Sequence, residues 1–232
     1  MIGVTSFSRE GYEQYGKNFL ESIDNWPGKI IVYLESPIDF EHPKLEKRDF
    51  FDIPNASRFL TNIEQIPESK GMVGGGYNYN FDVNKFCRKM FCQFDAFKEG
   101  GKVFWLDADI EFIKEVSEEF LEDLFDGNPL AYLGREGMYT ESGFLGFDTE
   151  HENFPGFEER YVATLQQGIF MKLPGWHDCY CFDWAKQNLG NDIVTGWEIK
   201  NKMSLEELDV IEKSPLKDVL VHRKGKRKNE IN

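Results

Sequence analysis

The stretch Lys102-Val103-Phe104-Trp105-Leu106-Asp107-Ala108-Asp109 constrains the fold more than any other part of the chain. Its apolar run reads as a strand buried on both faces, as in the interior of a mostly parallel α/β sheet flanked by helices. Ligands of open α/β sheets collect at the C-terminal edge, where the two carboxylates stand. Side chains alternate in extended chain, which puts Asp107 and Asp109 on one side at roughly 6 to 7 Å from each other. Two like charges that close are unfavourable unless a cation lies between them or water solvates them. The pattern predicts a divalent metal site, with an Asp-rich turn at a strand end as the competing reading.

Upstream, Ile2–Phe7 predicts a first core strand, and Tyr12, Tyr15, Phe19 and Ile23, spaced by three and four, predict a helix. Lys29–Glu35 predicts a second buried strand, parallel to the first through a right-handed crossover. Asp49–Ile53 reads as a third, shorter strand and Ser57–Ile66 as a helix. Gly71–Asn80 is glycine-rich but lacks the Gly-Lys-Ser/Thr of a P-loop, so a flap over a ligand and an idle surface loop both fit. Val83, Phe86, Cys87, Met90, Phe91, Phe94 and Phe97 make one apolar helical stripe, stopped by Gly100-Gly101. Lys85 and Arg88 share the neighbouring face and can reach a phosphate or sugar if it looks toward the sheet edge.

Beyond the central strand, Ser117 is the expected N-cap of a helix running to Phe125, and Pro129–Leu133 is a further strand. Glu141-Ser142-Gly143 sets a carboxylate and a hydroxyl before an apolar strand. Tyr161–Gln167 closes a short helix, and Trp176-His177-Asp178 begins another. This trio reads either as an exposed cluster that hydrogen-bonds a ligand while the indole stacks on a sugar, or as a core Trp with a capping Asp. Asp218–Val221 is a last short strand that delivers His222. No internal repeat and no domain linker is visible, so residues 1–232 read as a single domain.

The net charge of −14 argues against a broad nucleic-acid surface. The exception is His222-Arg223-Lys224-Gly225-Lys226-Arg227-Lys228, a basic run that predicts a local anion site on an acidic body. Cys87, Cys92, Cys179 and Cys181 lack the usual zinc spacing and are expected to be reduced thiols. No run of 18 apolar residues is present, and the N-terminus lacks the layout of a signal peptide, so the expected setting is cytoplasmic.

Taken in order, a parallel α/β start, the buried strand ending in Asp107-Ala108-Asp109, the Glu141-Ser142-Gly143 strand and the terminal His222-x-x-Gly225-x-x-Lys228 resemble a glycosyltransferase of the GT-A fold. The closing motif most resembles the retaining family of glycogenin and the lipopolysaccharide galactosyltransferases. The resemblance implies a Mn²⁺ or Mg²⁺ ion held by Asp107, Asp109 and His222, with Asp107 also near the donor ribose. It implies that Gly225 and Lys228 touch the pyrophosphate, that Thr5, Ser6, Phe7 and Tyr12 form the nucleotide-base pocket, and that Lys85 or Arg88 is the basic residue on the helix before Asp-x-Asp. It divides the chain into a donor-binding half over about 1–112, an acceptor half over about 113–221 and a metal- and pyrophosphate-binding segment at 222–228. The chain departs from the family in lacking Pro-Trp after Lys228, in having Glu141-Ser142-Gly143 for Asn-x-Gly, and in having Trp176-His177-Asp178 for an Asp-Gln pair.

The expected function is therefore metal-dependent transfer of a sugar from a nucleotide diphosphate sugar, expected to be UDP-linked, to a hydroxyl of a glycan, lipid-glycan or protein acceptor. Retention of configuration is expected; an inverting course would need a base, for which Asp178 and Glu141 are the candidates, beside His177. Other readings are a transferase acting on hydroxylated DNA bases and a nucleotide-sugar-binding protein without turnover. A haloacid-dehalogenase-like phosphatase fits poorly, since its first Asp lies near the N-terminus and Ile110-Glu111 follow Asp109 here.

Overall fold

A computed structural model describes residues 1–135, 137–194 and 210–223. In chain order its strands are β1 (Ile2–Phe7), β2 (Lys29–Leu34), β3 (Leu45–Asp49), β4 (Met72–Val73), β5 (Gly76–Tyr77), β6 (Lys102–Leu106), β7 (Ile110–Phe112), β8 (Leu130–Leu133), β9 (Glu141–Asp148), β10 (Asn191–Asp192) and β11 (Leu220–His222). Seven of them form one sheet in the order β10-β8-β9-β6-β1-β2-β3. Only β9 runs against its neighbours, so the sheet is mostly parallel.

The period of two in each strand feeds two cores. In β6, Val103 and Trp105 pack on one face while Phe104 and Leu106 pack on the other. In β2, Ile31 and Tyr33 join the first core and Ile30, Val32 and Leu34 the second. Covered on both sides, these strands need no polar positions, which is why they read as unbroken apolar runs. Helices Val83–Ala96, Phe154–Gln166 and Asp178–Lys186 cover the first face with rings such as Phe91, Phe157, Tyr161 and Phe182. The second face is covered by the helical segment from Arg9 to Asn25, which includes a π turn at Tyr12–Gly16, and by helix Glu118–Asp123.

Several boundaries differ from the sequence reading. The third strand is Leu45–Asp49 rather than Asp49–Ile53; as a half-exposed edge strand of mixed polarity it carries no apolar signature. Phe50 and Ile53 are core residues of the turn that follows it, and Asp49 caps that turn by accepting from the Phe51 amide at 2.7 Å. The helix that Tyr161–Gln167 closes is longer than expected, beginning at Phe154 with Pro155 in its first turn, where a missing N–H costs nothing. Gly71–Asn80 contains a two-residue hairpin, β4 paired with β5, whose turn has Gly74 and Gly75 at φ +61 and +84. Ser117 caps its helix as expected, accepting from the Phe120 amide. All four cysteines are free and buried, and no helix among the described residues is long and apolar enough to cross a membrane.

Candidate functional site

Because β1, β2 and β6 run parallel, their C-terminal ends and the residues just beyond meet at one edge of the sheet. A cleft of about 580 Å³ opens there, with Ser6, Phe7, Glu35, Arg88, Lys89 and Asp107 among its walls. Its volume lies within the range of ligand pockets, about 300–1,000 Å³.

At the cleft floor β6 stops at Leu106 and the chain turns, the Ile110 amide donating to the Asp107 carbonyl at 2.9 Å. This turn, not strand alternation, brings the two carboxylates together. The last strand, β11, then pairs antiparallel with β7, setting His222 opposite Ile110. The Arg223 amide donates to the Asp109 carbonyl at 2.8 Å and extends that pairing into the turn. His222 Nε2 lies 3.1 Å from Asp109 Oδ1, and one potential ligand atom from each of Asp107, Asp109 and His222 lies within 4.8 Å of the others. The imidazole is buried, with only 2 % of its side chain exposed.

Asp107 divides its two oxygens. Oδ1 accepts from the Trp105 indole at 2.7 Å and faces Lys89 Nζ at 2.8 Å. Oδ2 lies on the side of Gly143, where an added Cβ would stand 3.5 Å from it and 3.0 Å from His222 Cε1. A side chain at 143 would fill the space between the ligands, so glycine keeps it open. Two carboxylates and one imidazole around such a space suit Mn²⁺ or Mg²⁺ in preference to Ca²⁺, which collects six to eight oxygens.

The residue that the sequence reading missed is Lys89. Its ammonium bridges Asp107, Asp178 Oδ2 at 3.0 Å and Ser142 Oγ at 3.0 Å, and sits over the Trp105 ring. Burial acts against the charge, but the carboxylates of Asp107 and Asp178 outweigh it and raise the lysine above its ordinary pKa. The sequence signal was a lysine bordering the apolar stripe, four residues after Lys85. Lys85 itself lies exposed at the cleft edge, and Arg88 pairs with Glu35 at 2.9 Å.

In the trio Trp176-His177-Asp178, His177 and Asp178 are buried and Trp176 is partly buried against the first core, which corrects the exposed reading. His177 and Asp178 are each 1 % accessible, because Tyr79, Tyr139, Tyr180 and Phe86 enclose the imidazole at 4.6 to 6.1 Å. Asp178 does not cap its helix; His177 occupies the cap position, without a side-chain bond. Burial pushes the Asp178 carboxyl upward, but Lys89 and His177 outweigh it and hold it below its ordinary range. His177, Asp178 and Cys179 also lie within 4.8 Å of one another, but Lys89 already supplies the cation there. Glu141 is equally sequestered, with Oε2 3.2 Å from Arg135 Nη1 and Oε1 accepting from the Gly143 amide.

Burial lowers the His177 pKa from 6.5 and holds the ring neutral. The unfolded chain binds a proton near that value while the folded chain does not, so this contribution to stability is complete above it and is lost as pH falls toward the folded pKa. In His177→Phe, that part of the acid destabilisation disappears. Denaturant titrations between about pH 5 and pH 7.5 would show it, and equal slopes in both proteins would refute it.

Among the expected base-pocket residues, Ser6 and Phe7 line the cleft, but Thr5 is fully buried in β1. Tyr12 stacks on Phe7 at 5.8 Å and packs into the core, so Tyr15, one helical turn on, takes the cleft wall instead. Gly225 and Lys228 lie outside the described residues.

No protein-family model and no curated protein matches this sequence. Among solved structures, the chain is similar to the bifunctional glycosyltransferase WbbM, with a TM-score of 0.55 and 10 % identity over 97 % of this chain and 46 % of that one. It is also similar to the glycosyltransferase GlyE of Streptococcus pneumoniae TIGR4, with a TM-score of 0.53 and 12 % identity over 100 % of this chain and 56 % of that one. The chain thus spans about half the length of these structures. The likeness establishes the fold, a mostly parallel seven-stranded sheet between helices that is shared with these glycosyltransferases.

Proposed function

We propose that the chain is a metal-dependent glycosyltransferase that moves a sugar from a nucleotide diphosphate sugar, with UDP as the expected nucleotide, to a hydroxyl of a glycan, lipid-glycan or protein. The observation that carries this reading is the meeting of Asp107, Asp109 and His222 at the floor of a nucleotide-sized cleft. Asp107, Asp109 and His222 would hold Mn²⁺ or Mg²⁺, and the ion supplies positive charge to the departing diphosphate. Ser6, Phe7 and Tyr15 offer a wall for the nucleoside, and Lys85 stands at the edge as a cation for a phosphate.

The expected course is retaining, and the state of the two candidate bases supports it. Glu141 is locked by Arg135, and Asp178 is a poor proton acceptor because its carboxyl is held low beside Lys89. With weak bases on the protein, the acceptor proton passes to an oxygen of the leaving diphosphate as the glycosidic bond breaks. An acidic body disfavours duplex DNA as acceptor. Free buried thiols suit a reducing, cytoplasmic setting.

A thermal-shift panel of UDP-, GDP-, CDP- and TDP-sugars with and without Mn²⁺ tests the reading. A ligand at 100 times its Kd adds about 2.7 kcal/mol of stability to the folded state. A UDP-sugar is expected to raise Tm only when Mn²⁺ is present, and the same donor is expected to be slowly hydrolysed. Absence of any nucleotide shift would sink the reading, and a shift without turnover on a broad acceptor screen would reduce it to a binding protein.

A further inference from the structure

We propose that Trp105 is a positioning residue that restricts Asp107 to one ligand oxygen and thereby sets the ion preference of the site; this rests on the metal-dependent reading above. The Asp107 amide donates to the Gly143 carbonyl at 2.8 Å, so pairing with β9 continues one residue past the end of β6. Residues two apart in extended chain point to one face, which puts the Trp105 indole beside the Asp107 carboxylate, on the side covered by helix Val83–Ala96. The indole N–H donates to Asp107 Oδ1 at 2.7 Å, and the Lys89 ammonium, carried by that helix, approaches the same oxygen at 2.8 Å.

A carboxylate has about four lone-pair sites, two on each oxygen. Two donors therefore saturate Oδ1 and leave Oδ2 for an ion, and Oδ2 is the oxygen on the side of Gly143 and His222. The carboxyl torsion is soft, and two donors on one oxygen fix which edge of the group faces the ligand space. Trp105 is suited to this because its own ring is fixed: it is 3 % exposed, packed in the first core, with the Lys89 ammonium over its face at 5.3 Å. A single-oxygen carboxylate suits octahedral Mg²⁺ or Mn²⁺. Ca²⁺ takes six to eight oxygens, often both of one carboxylate, and that mode is closed at Asp107.

Titration calorimetry with MnCl₂ and CaCl₂ tests this on the wild-type protein and on protein with 3-benzothienylalanine at position 105, which keeps the bicyclic shape but has sulfur in place of the indole N–H. The wild-type protein is expected to bind Mn²⁺ about tenfold or more tightly than Ca²⁺. In the substituted protein Mn²⁺ should weaken about 10- to 100-fold, the usual effect of removing an outer-shell partner. Ca²⁺ should weaken less, because Oδ1 becomes available to it, so the Mn²⁺/Ca²⁺ ratio narrows. An unchanged Tm without metal shows that the packing is retained. Trp105→Phe, which also removes ring volume, should narrow the ratio in the same way at a lower Tm. Unaltered affinities, or equal weakening of both ions, would make Trp105 a packing residue only and overturn the proposal, as would a wild-type site without preference. Wild-type protein that binds no Mn²⁺ would instead strike the metal-dependent reading itself.

Discussion

Replacing Lys89 with methionine is expected to destabilise the fold by about 3–5 kcal/mol, the cost of breaking a buried ion pair from one side. Methionine keeps the length of the stem over Trp105 but removes the charge. Asp107 can recover part of the loss from water, since 31 % of its side chain is exposed; Asp178, with 2 % exposed, cannot. Deprived of Lys89, the Asp178 carboxyl should rise above its unfolded value and become protonated more readily. A raised carboxyl stabilises the fold at low pH and loses that contribution as pH rises, so the variant should lose less relative to wild type near pH 5 than near pH 7, by the linkage of proton binding to folding. Urea titrations at both values measure this. Lys89→Met/Asp178→Asn, which removes both charges, should recover a large part of the loss. A double variant no better than the additive sum would show that the two residues are not coupled.

The sheet was legible because its central strands are covered on both faces and therefore carry uninterrupted apolar runs, as in β2 and β6. The edge strand β3, with the sequence LEKRD, was displaced in the sequence reading because half-exposed strands have no such run. Asp107 and Asp109 stood out as a pair, but the turn that joins them depends on a hydrogen bond from Ile110 that no periodicity encodes. The return of His222 came only from the resemblance, since β11 is three residues long and pairs with a strand equally short. Lys85, Arg88 and Lys89 differ by helical rotation of about 100° per residue, and which of them reaches the carboxylates is decided by how the helix sits on the sheet. The sequence leaves Trp176-His177-Asp178 open between an exposed cluster and a packed one because the rings that bury His177, Tyr79 and Tyr139, come from distant parts of the chain. Pairings of that kind are tertiary, and a single sequence is silent about them.

Asp109→Asn is expected to abolish Mn²⁺-dependent nucleotide binding while leaving the fold in place. The amide has the shape of the carboxylate and can still hydrogen-bond the His222 imidazole, now 3.1 Å from Asp109 Oδ1, but it removes the negative charge that a hard cation requires. Asp107 would be a poorer choice for this test, because it also holds Lys89 and Trp105, so its replacement mixes metal loss with structural damage. Substitutions in the outer shell of a metal site cost about 10- to 100-fold in affinity, and loss of a direct ligand should exceed that. Titration calorimetry with MnCl₂ reads the loss directly, and the Tm rise given by UDP-sugar with Mn²⁺ should vanish in the same variant. His222→Gln should reproduce the loss of Mn²⁺ from β11 with an unchanged Tm in the absence of metal, which separates loss of a ligand from loss of the direct His222–Asp109 contact. If Asp109→Asn binds Mn²⁺ and UDP as tightly as the wild-type protein, the ion is held elsewhere, and the meeting of Asp109 with His222 is a structural contact that closes the turn.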